Sequence, residues 1–122
     1  MPNIAITSEG PTLEDLIDPR FGRAAGFIVV DPISLKFEYV PNGEAQVRAQ
    51  GAGIQAAETV ARKGVNAVLT GYVGPKAFQA LAAAGIRVAQ DLENITVRQA
   101  IDRYNKGAVT WAQPADAKGQ RP

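Results

Sequence analysis

Residues 65–85, VNAVLTGYVGPKAFQALAAAG, contain the pattern that decides the fold. The apolar run VNAVLT is typical of a buried strand in a parallel sheet. The turn GYVG follows, and Pro75 suits the first position of a helix because its missing N–H needs no partner there. Gly85 stands where a helix commonly ends. A buried strand that leads directly into a helix predicts an α/β protein.

The rest of the chain extends this pattern on both sides. Apolar runs and alternation predict four further strands, and apolar residues at helical spacing predict two further helices. The strands are expected at residues 3–7, 26–31, 35–41 and 86–89, and the helices at residues 50–63, 75–84 and 96–105. Residues 26–41 form an antiparallel hairpin in this interpretation. We therefore predict a mixed five-stranded sheet with three flanking helices and with the first strand in its interior.

Composition limits the size and the class of the protein. The 122 residues are 46% hydrophobic and 20% charged, which suits one domain with a real core. Thirteen Lys and Arg against twelve Asp and Glu give a net charge of +1, so nucleic-acid binding is not expected. The start of the sequence does not resemble a signal peptide, and no stretch is apolar enough to span a membrane. We expect a cytoplasmic monomer without membrane attachment.

The composition changes towards the end of the chain. After Gly107 the residues are mainly Ala, Gln, Pro, Lys and Gly, which bury too little apolar surface to offset the entropy of ordering. We predict an α/β domain over residues 1–107 and a C-terminal extension over residues 108–122, largely disordered from Pro114 onward. Trp111 is the exception, because so large a ring is expected to pack onto the domain.

The sequence contains no cysteine and no histidine. Thiolate and imidazole metal ligands, disulfides and most catalytic triads are therefore excluded. Acidic residues are the remaining hard ligands, and several stand near predicted strand ends: Glu9, Glu14, Asp15, Asp18, Asp31, Asp91 and Glu93. Solvated or capping roles are favoured because no dense acidic motif is present. A two-carboxylate nuclease centre stays open as an alternative.

Two glycine turns precede predicted helices. One is residues 71–76, GYVGPK, and the other is residues 50–54, QGAGI. Free main-chain N–H groups at a helix start attract anions, but neither turn matches a nucleotide-binding fingerprint. The alternative is purely structural, with Gly71 supplying a positive φ. Because both helices can begin at the same end of the sheet, we expect the turns to lie close together.

A third stretch, residues 18–23, DPRFGR, places two guanidinium groups on a flexible loop beside an aromatic ring. Arginine is always charged and donates several hydrogen bonds. We expect Phe21 to be exposed or half-buried. The loop is either an anion-binding site or a structural turn in which Arg20 pairs with Asp18 and Arg23 begins a strand.

These motifs together resemble one family. The stretch from Asp18 to Arg23, Phe27 and Asp31, the segment GAGI, the turn GYVG, and Ala77, Leu81 and the segment GIRV are similar to the dinitrogenase iron-molybdenum cofactor biosynthesis family. The resemblance covers residues 3–104. It implies a ribonuclease H-like fold and the binding or carrying of a molybdenum-containing metal-sulfur cluster rather than catalysis. Absent Cys and His fit a small member that holds a molybdenum-copper sulfide cluster without covalent ligands.

The resemblance also implies which residues would bind such a cluster. A thiomolybdate-copper cluster is anionic and its own sulfides fill the metal coordination, so it needs cations and N–H donors. The arginines would neutralise it, Gly22 would let the backbone approach, and Phe21 with Tyr72 or Val73 would exclude water. The expected site is Arg20, Phe21, Gly22, Arg23, Gly51, Gly53, Gly71, Tyr72, Val73, Gly74 and Lys76. The alternative function is an adaptor that binds a partner ATPase through the hairpin and Trp111.

Overall fold

A six-stranded mixed sheet forms the centre of the protein. The computed structural model describes residues 3–43 and 51–113. The strands are β1 (Ile4–Ser8), β2 (Gly26–Val30), β3 (Phe37–Pro41), β4 (Ala67–Leu69), β5 (Arg87–Gln90) and β6 (Thr110–Trp111). Their order in the sheet is β3-β2-β1-β4-β5-β6. The predicted α/β class is therefore confirmed.

β1 lies in the interior of the sheet, as the sequence predicts. It pairs antiparallel with β2, with Ile6 opposite Ile28, and parallel with β4, with Ile6 opposite Leu69. All five of its residues are buried, because both faces of the sheet are covered. β2 and β3 form the predicted antiparallel hairpin. β4 and β5 pair in parallel, so the carboxyl ends of β1, β4 and β5 share one edge.

Helices cover the two faces of the sheet. In the described residues they are α1 (Ala52–Arg62), α2 (Pro75–Ala83) and α3 (Val97–Asn105). α1 and α2 pack on one face, where Val60 and Leu81 join a core with alternate residues of the strands. α3 covers the other face through Val97, Ala100 and Ile101. The period of two in the strands and the helical spacing in α1 to α3 thus divide the core into two layers.

The helix ends follow local sequence signals. Gly64 and Gly85 have φ values of 72° and 77°, as expected for glycines just beyond helix ends. Thr96 caps α3, since its hydroxyl accepts from the Gln99 N–H and the Gln99 side chain accepts from the Thr96 N–H. In the described part of the chain, no helix has the length and apolar character needed to cross a membrane.

The prediction of five strands is wrong, because Thr110 and Trp111 add a sixth. They pair antiparallel with Gln90 and Ala89 of β5. Two residues are too few for a periodic signal, so this strand has no sequence pattern that could be detected. The predicted packing of Trp111 is confirmed. The guanidinium carbon of Arg87 lies 3.8 Å from the centroid of the Trp111 ring, and the Tyr104 and Trp111 rings pack edge to face with their centroids 6.3 Å apart.

Three sequence-based expectations stay predictions. The disorder expected from Pro114 onward falls outside the described residues, as does Gln50 at the predicted start of the first helix. The ribonuclease H-like designation also stays a prediction, while the mixed sheet with helices on both faces is observed.

Candidate functional site

A pocket of about 530 Å³ lies beside α1 and α2. Three stretches of chain line it: residues 19–23, residues 51–54, and Tyr72 with residues 74–77. Tyr72 follows β4, and residues 51–54 and 74–77 contain the starts of α1 and α2. The pocket therefore lies at the end of the sheet where α/β proteins commonly bind ligands. It contains nine of the eleven predicted site residues: Arg20, Phe21, Gly22, Arg23, Gly51, Gly53, Tyr72, Gly74 and Lys76.

Residues 18–23, here called the arginine loop, are attached to the turn after β4 by two main-chain hydrogen bonds. The Tyr72 N–H donates to the Pro19 carbonyl at 2.9 Å, and the Phe21 N–H donates to the Tyr72 carbonyl at 3.2 Å. An added Cβ at Gly71 would lie 2.6 Å from the Pro19 oxygen, so this approach requires glycine. The expected positive φ at Gly71 is wrong, because close packing and not a left-handed turn selects this glycine.

Gly22 and Gly53 bring the arginine loop and the two helices together. A Cβ at Gly22 would lie 2.8 Å from the Gly53 nitrogen, and a Cβ at Gly53 would lie 3.0 Å from the Cβ of Ala77. The missing side chain of Gly22 makes room for the first turn of α1, and its predicted approach to a ligand stays a prediction. Gly53 in turn allows α2 to approach α1.

The amino ends of two helices meet at this pocket. Gly51, with φ 77°, precedes α1, and Gly74 precedes α2, which begins with Pro75. Neither helix has a side-chain cap or an acidic residue in its first turn. The first N–H groups of a helix have no partner within it and carry the positive end of the helix dipole. Two such ends directed towards one cavity favour a bound anion.

Three cationic side chains line the pocket, and none of the described residues that line it is acidic. Arg23 and Lys76 are exposed. Arg20 pairs with Asp18, its Nε and Nη2 each donating to a carboxylate oxygen at 3.1 Å. This hydrogen bonding, together with the charge of Asp18, raises the pKa of Arg20. The structural alternative, in which Arg20 pairs with Asp18, is therefore observed. Arg20 nevertheless also lines the pocket. Arg23 does not begin a strand, because β2 starts at Gly26.

The apolar part of the wall differs from the prediction. Tyr72 and Ile54 are 56% and 38% exposed, and both line the pocket. Phe21 is only 1% exposed, and its ring packs against Phe27 at a centroid distance of 5.7 Å. Val73 is fully buried in the core. The expected exposure of Phe21 is therefore wrong, and of the aromatic residues proposed to exclude water, Tyr72 is the one that offers its ring to solvent.

Sequence reasoning missed several pocket residues. They are Pro19, Ala52, Ile54, Pro75 and Ala77. Small and apolar residues in the first turn of a helix carry no chemical signal of their own, so only their position beside the glycine turns could have indicated them. Gly71 and Val73 were predicted but do not line the pocket, because Gly71 packs on Pro19 and Val73 faces the core.

The acidic residues have structural roles. Within residues 3–43 and 51–113, no group of three or more His, Cys, Asp or Glu side chains could hold a metal ion. Asp31 accepts from the main-chain N–H groups of Ile33 and Ser34 at 2.8 and 3.2 Å, which lowers its pKa. Glu14 pairs with Arg98 at 2.6 Å. These contacts agree with the predicted capping and surface roles and give no support to a nuclease centre.

Comparison with known proteins places this architecture in a family. The sequence profile described as "Dinitrogenase iron-molybdenum cofactor" matches residues 2–107. The chain belongs to this cofactor family. The resemblance noted in the sequence is thereby confirmed, and the match includes every residue of the pocket.

Two solved structures and one further sequence are similar to this chain. The apo form of the orange protein from Desulfovibrio gigas is 60% identical, with a TM-score of 0.89 over 92% of this chain and 93% of that one. A Thermotoga protein of the DUF35 family, described as NifB-like, is 34% identical, with a TM-score of 0.77 over 93% and 98%. An uncharacterized protein from Methanocaldococcus jannaschii is 30% identical over 64% of this chain and 68% of its own length.

Proposed function

We propose that this protein binds an anionic molybdenum-copper sulfide cluster non-covalently in the pocket between the arginine loop and the starts of α1 and α2. One observation carries the proposal. Two uncapped helix starts and three cationic side chains surround one cavity, and the described residues that line it include no acid. The family match and the 60% identity to the orange protein support a metal cluster as the ligand.

The available donors suit a cluster that brings its own sulfide ligands. The chain has no cysteine or histidine, so it offers neither thiolate nor imidazole to iron, copper or molybdenum. In a thiomolybdate-copper unit, sulfide already occupies the metal coordination. The protein then needs only cations and N–H groups that match the negative charge. Arg23, Lys76 and the first N–H groups of both helices would supply them.

The apolar wall favours a sulfide-rich anion over a small oxyanion. Phosphate and molybdate hold their hydration water tightly. The wall formed by Tyr72, Ile54, Pro19 and Pro75 offers few hydrogen bonds that could replace this water. A large anion whose charge is spread over sulfur loses less hydration when it contacts such surfaces. The pocket volume of about 530 Å³ also leaves room for more than a single small oxyanion. We propose a carrier or holding role rather than an enzymatic one.

The adaptor alternative receives no comparable support. It requires the hairpin and Trp111 to be available to a partner ATPase. Trp111 is instead partly buried against Tyr104 and Arg87 within the domain. A cytoplasmic location and a monomeric state stay predictions that accompany the cluster-binding proposal.

The test is reconstitution of the apo protein. Copper(I) and tetrathiomolybdate are added to the purified chain, the mixture is desalted, and metals and visible absorbance are measured in the protein fraction. We expect colour with molybdenum and copper in a fixed ratio, undiminished by excess molybdate or phosphate. A colourless, metal-free fraction would reject cluster binding. Colour that excess phosphate removes would indicate a general anion site instead.

Paired variants connect this test to the pocket. Replacing Arg23 and Lys76 together by alanine removes two pocket cations, and we expect most of the retained metal to be lost. The matched control replaces Arg103 and Lys106, which lie on or beside α3 and do not line the pocket. Equal retention by both double variants would show that the cluster binds elsewhere on the chain.

A further inference from the structure

Asp18 is the only charged side chain that is buried among the described residues, with 2% of its surface exposed. Its carboxylate accepts from Arg20 three times: from the main-chain N–H at 3.0 Å and from Nε and Nη2 at 3.1 Å each. A carboxylate removed from water is costly unless it is paired and hydrogen-bonded. The orientation of Arg20 is therefore fixed by the core and not by the surface.

The main chain at Asp18 is itself fixed to the sheet. Its N–H donates to the carbonyl of Thr7 in β1 at 3.0 Å, and the Thr7 hydroxyl donates to the Asp18 carbonyl at 2.5 Å. The next residue, Pro19, accepts from the Tyr72 N–H at 2.9 Å. The buried carboxylate thus stands at a defined place between β1 and the turn after β4.

One edge of the Arg20 guanidinium is used by this contact, and no partner for the other edge is present within residues 3–43 and 51–113. Nε and one hydrogen of Nη2 point to Asp18, which leaves Nη1 and the second Nη2 hydrogen on a side chain that is 62% exposed and lines the pocket. A guanidinium held in this way loses less conformational freedom when an anion binds than a mobile surface arginine does.

We propose that Asp18 is a positioning residue for anion binding, which holds Arg20 so that its free edge is presented to the pocket before the ligand arrives. This inference rests on the proposed function. Asp18 does not contact the ligand. Its favourable effect on binding acts through Arg20 and should disappear when the guanidinium is absent.

The charge of Asp18 makes the proposal testable, because charge and orientation predict opposite results. A carboxylate near the pocket repels an anion, so removal of its charge alone should tighten binding. Loss of the oriented guanidinium should weaken binding. Asp18→Asn removes the charge and keeps the shape, and its amide nitrogen cannot accept from Arg20. We expect orientation to dominate, with binding roughly 3- to 10-fold weaker.

The experiment measures the dissociation constant of the apo protein for tetrathiomolybdate alone, by visible absorbance. The variants are Asp18→Asn, Arg20→Ala and the double variant, with Glu14→Gln as the matched control for a carboxylate-arginine pair outside the pocket. We expect Asp18→Asn to weaken binding in the natural background, and to leave it unchanged or tighten it slightly when Arg20 is alanine, because only the repulsion of the carboxylate then remains to be removed. The control should bind as the natural chain does.

Two further measurements exclude a purely structural explanation. Arg20→Lys keeps the charge and the Asp18 carboxylate but not the two-pronged contact, so we expect weaker binding with an unchanged fold. The Arg20 Nε–H resonance should exchange slowly with water in the natural chain and rapidly in Asp18→Asn. If Asp18→Asn does not fold, the tetrathiomolybdate affinity of Arg20→Lys decides whether the positioning role holds.

Three results would overturn the positioning role. The first is unchanged or tighter binding by Asp18→Asn, and the second is unchanged binding by Arg20→Lys. The third is that Asp18→Asn weakens binding equally whether residue 20 is arginine or alanine. Failure of the natural chain to bind tetrathiomolybdate either alone or together with copper(I) would reject the proposed function itself.

Discussion

An added Cβ at Gly22 would lie 2.8 Å from the main-chain nitrogen of Gly53. The arginine loop therefore meets the first turn of α1 backbone to backbone. Both glycines line the pocket, so the contact lies in its wall. The binding properties that we propose depend on a junction that only glycine permits.

Gly22→Ala tests this junction. The nearest atoms are backbone, which cannot move aside as a flexible side chain could, so we expect a loss of about 1 to 3 kcal/mol in the free energy of unfolding. The measurement is denaturant unfolding followed by circular dichroism. Gly43→Ala is the control, because an added Cβ there meets no atom within 4 Å. Equal stability of the two variants would show that the loop can separate from α1 at little cost.

Lys76→Ala should change binding and stability in opposite directions. Lys76 is in the first turn of α2, where a cation opposes the helix dipole, so its removal should stabilise the fold by about 0.3–1 kcal/mol. The same change should weaken tetrathiomolybdate binding roughly 3- to 10-fold, because one pocket cation is lost.

Lys106→Ala is the matched control for Lys76→Ala. Lys106 follows the last turn of α3 and pairs with Asp102 at 2.9 Å, so its removal should slightly destabilise the fold and leave binding unchanged. Thermal unfolding and absorbance titration measure the two effects. A Lys76→Ala variant that is less stable than the natural chain and binds tetrathiomolybdate equally tightly would contradict the assignment of this lysine to the site.

Asp31 should make the hairpin sensitive to acid. The N–H groups of Ile33 and Ser34 lower its pKa below the ordinary value of 3.8 in the folded chain. The unfolded chain then binds the proton at a higher pH, so this stabilising contribution is complete above about pH 5 and is lost as the pH falls through the folded-state pKa. Asp31→Asn keeps an acceptor oxygen but cannot titrate.

We therefore expect the natural chain to exceed Asp31→Asn in free energy of unfolding near pH 6, with the difference shrinking towards pH 3. Urea unfolding at a series of pH values measures it. A difference that stays constant or grows as the pH falls would mean that the carboxylate is not stabilised by these N–H groups.

Truncation tests the boundary of the domain. A chain that ends after Val109 loses β6 and the Trp111 ring packed on Arg87 and Tyr104, which should cost about 2 kcal/mol. A chain that ends after Gln113 keeps these contacts and should match the full chain in unfolding midpoint. A large loss from the second truncation would contradict the disorder predicted from Pro114 onward.

The strands and helices with strong patterns were predictable from the sequence. β1, β2 and β4 are continuous apolar runs, and α2 and α3 carry a proline start and a Thr-Gln capping box. β6 was not predictable, because two residues have no period and Trp111 is placed by contacts with Arg87 and Tyr104 that lie distant in sequence.

The candidate site was predictable in its segments but not in its details. Glycine turns before helices and two arginines on a loop indicated the three stretches that meet. The sequence offered the pairing of Arg20 with Asp18 as an alternative, but it could not reveal that Asp18 is buried, that Gly71 serves close packing, or that Phe21 lies in the core. Each of these depends on which backbone passes nearby, and that is a tertiary property.

The most direct test of cluster binding at this pocket is an NMR titration of the ¹⁵N-labelled apo chain with copper(I) and tetrathiomolybdate. We predict that the largest amide shifts occur at Gly53, Ile54, Lys76 and Ala77, which line the pocket in the first turns of α1 and α2. Shifts confined to a different cavity, which Thr59, Arg62 and Lys63 help to line, or no shifts at all, would contradict the account.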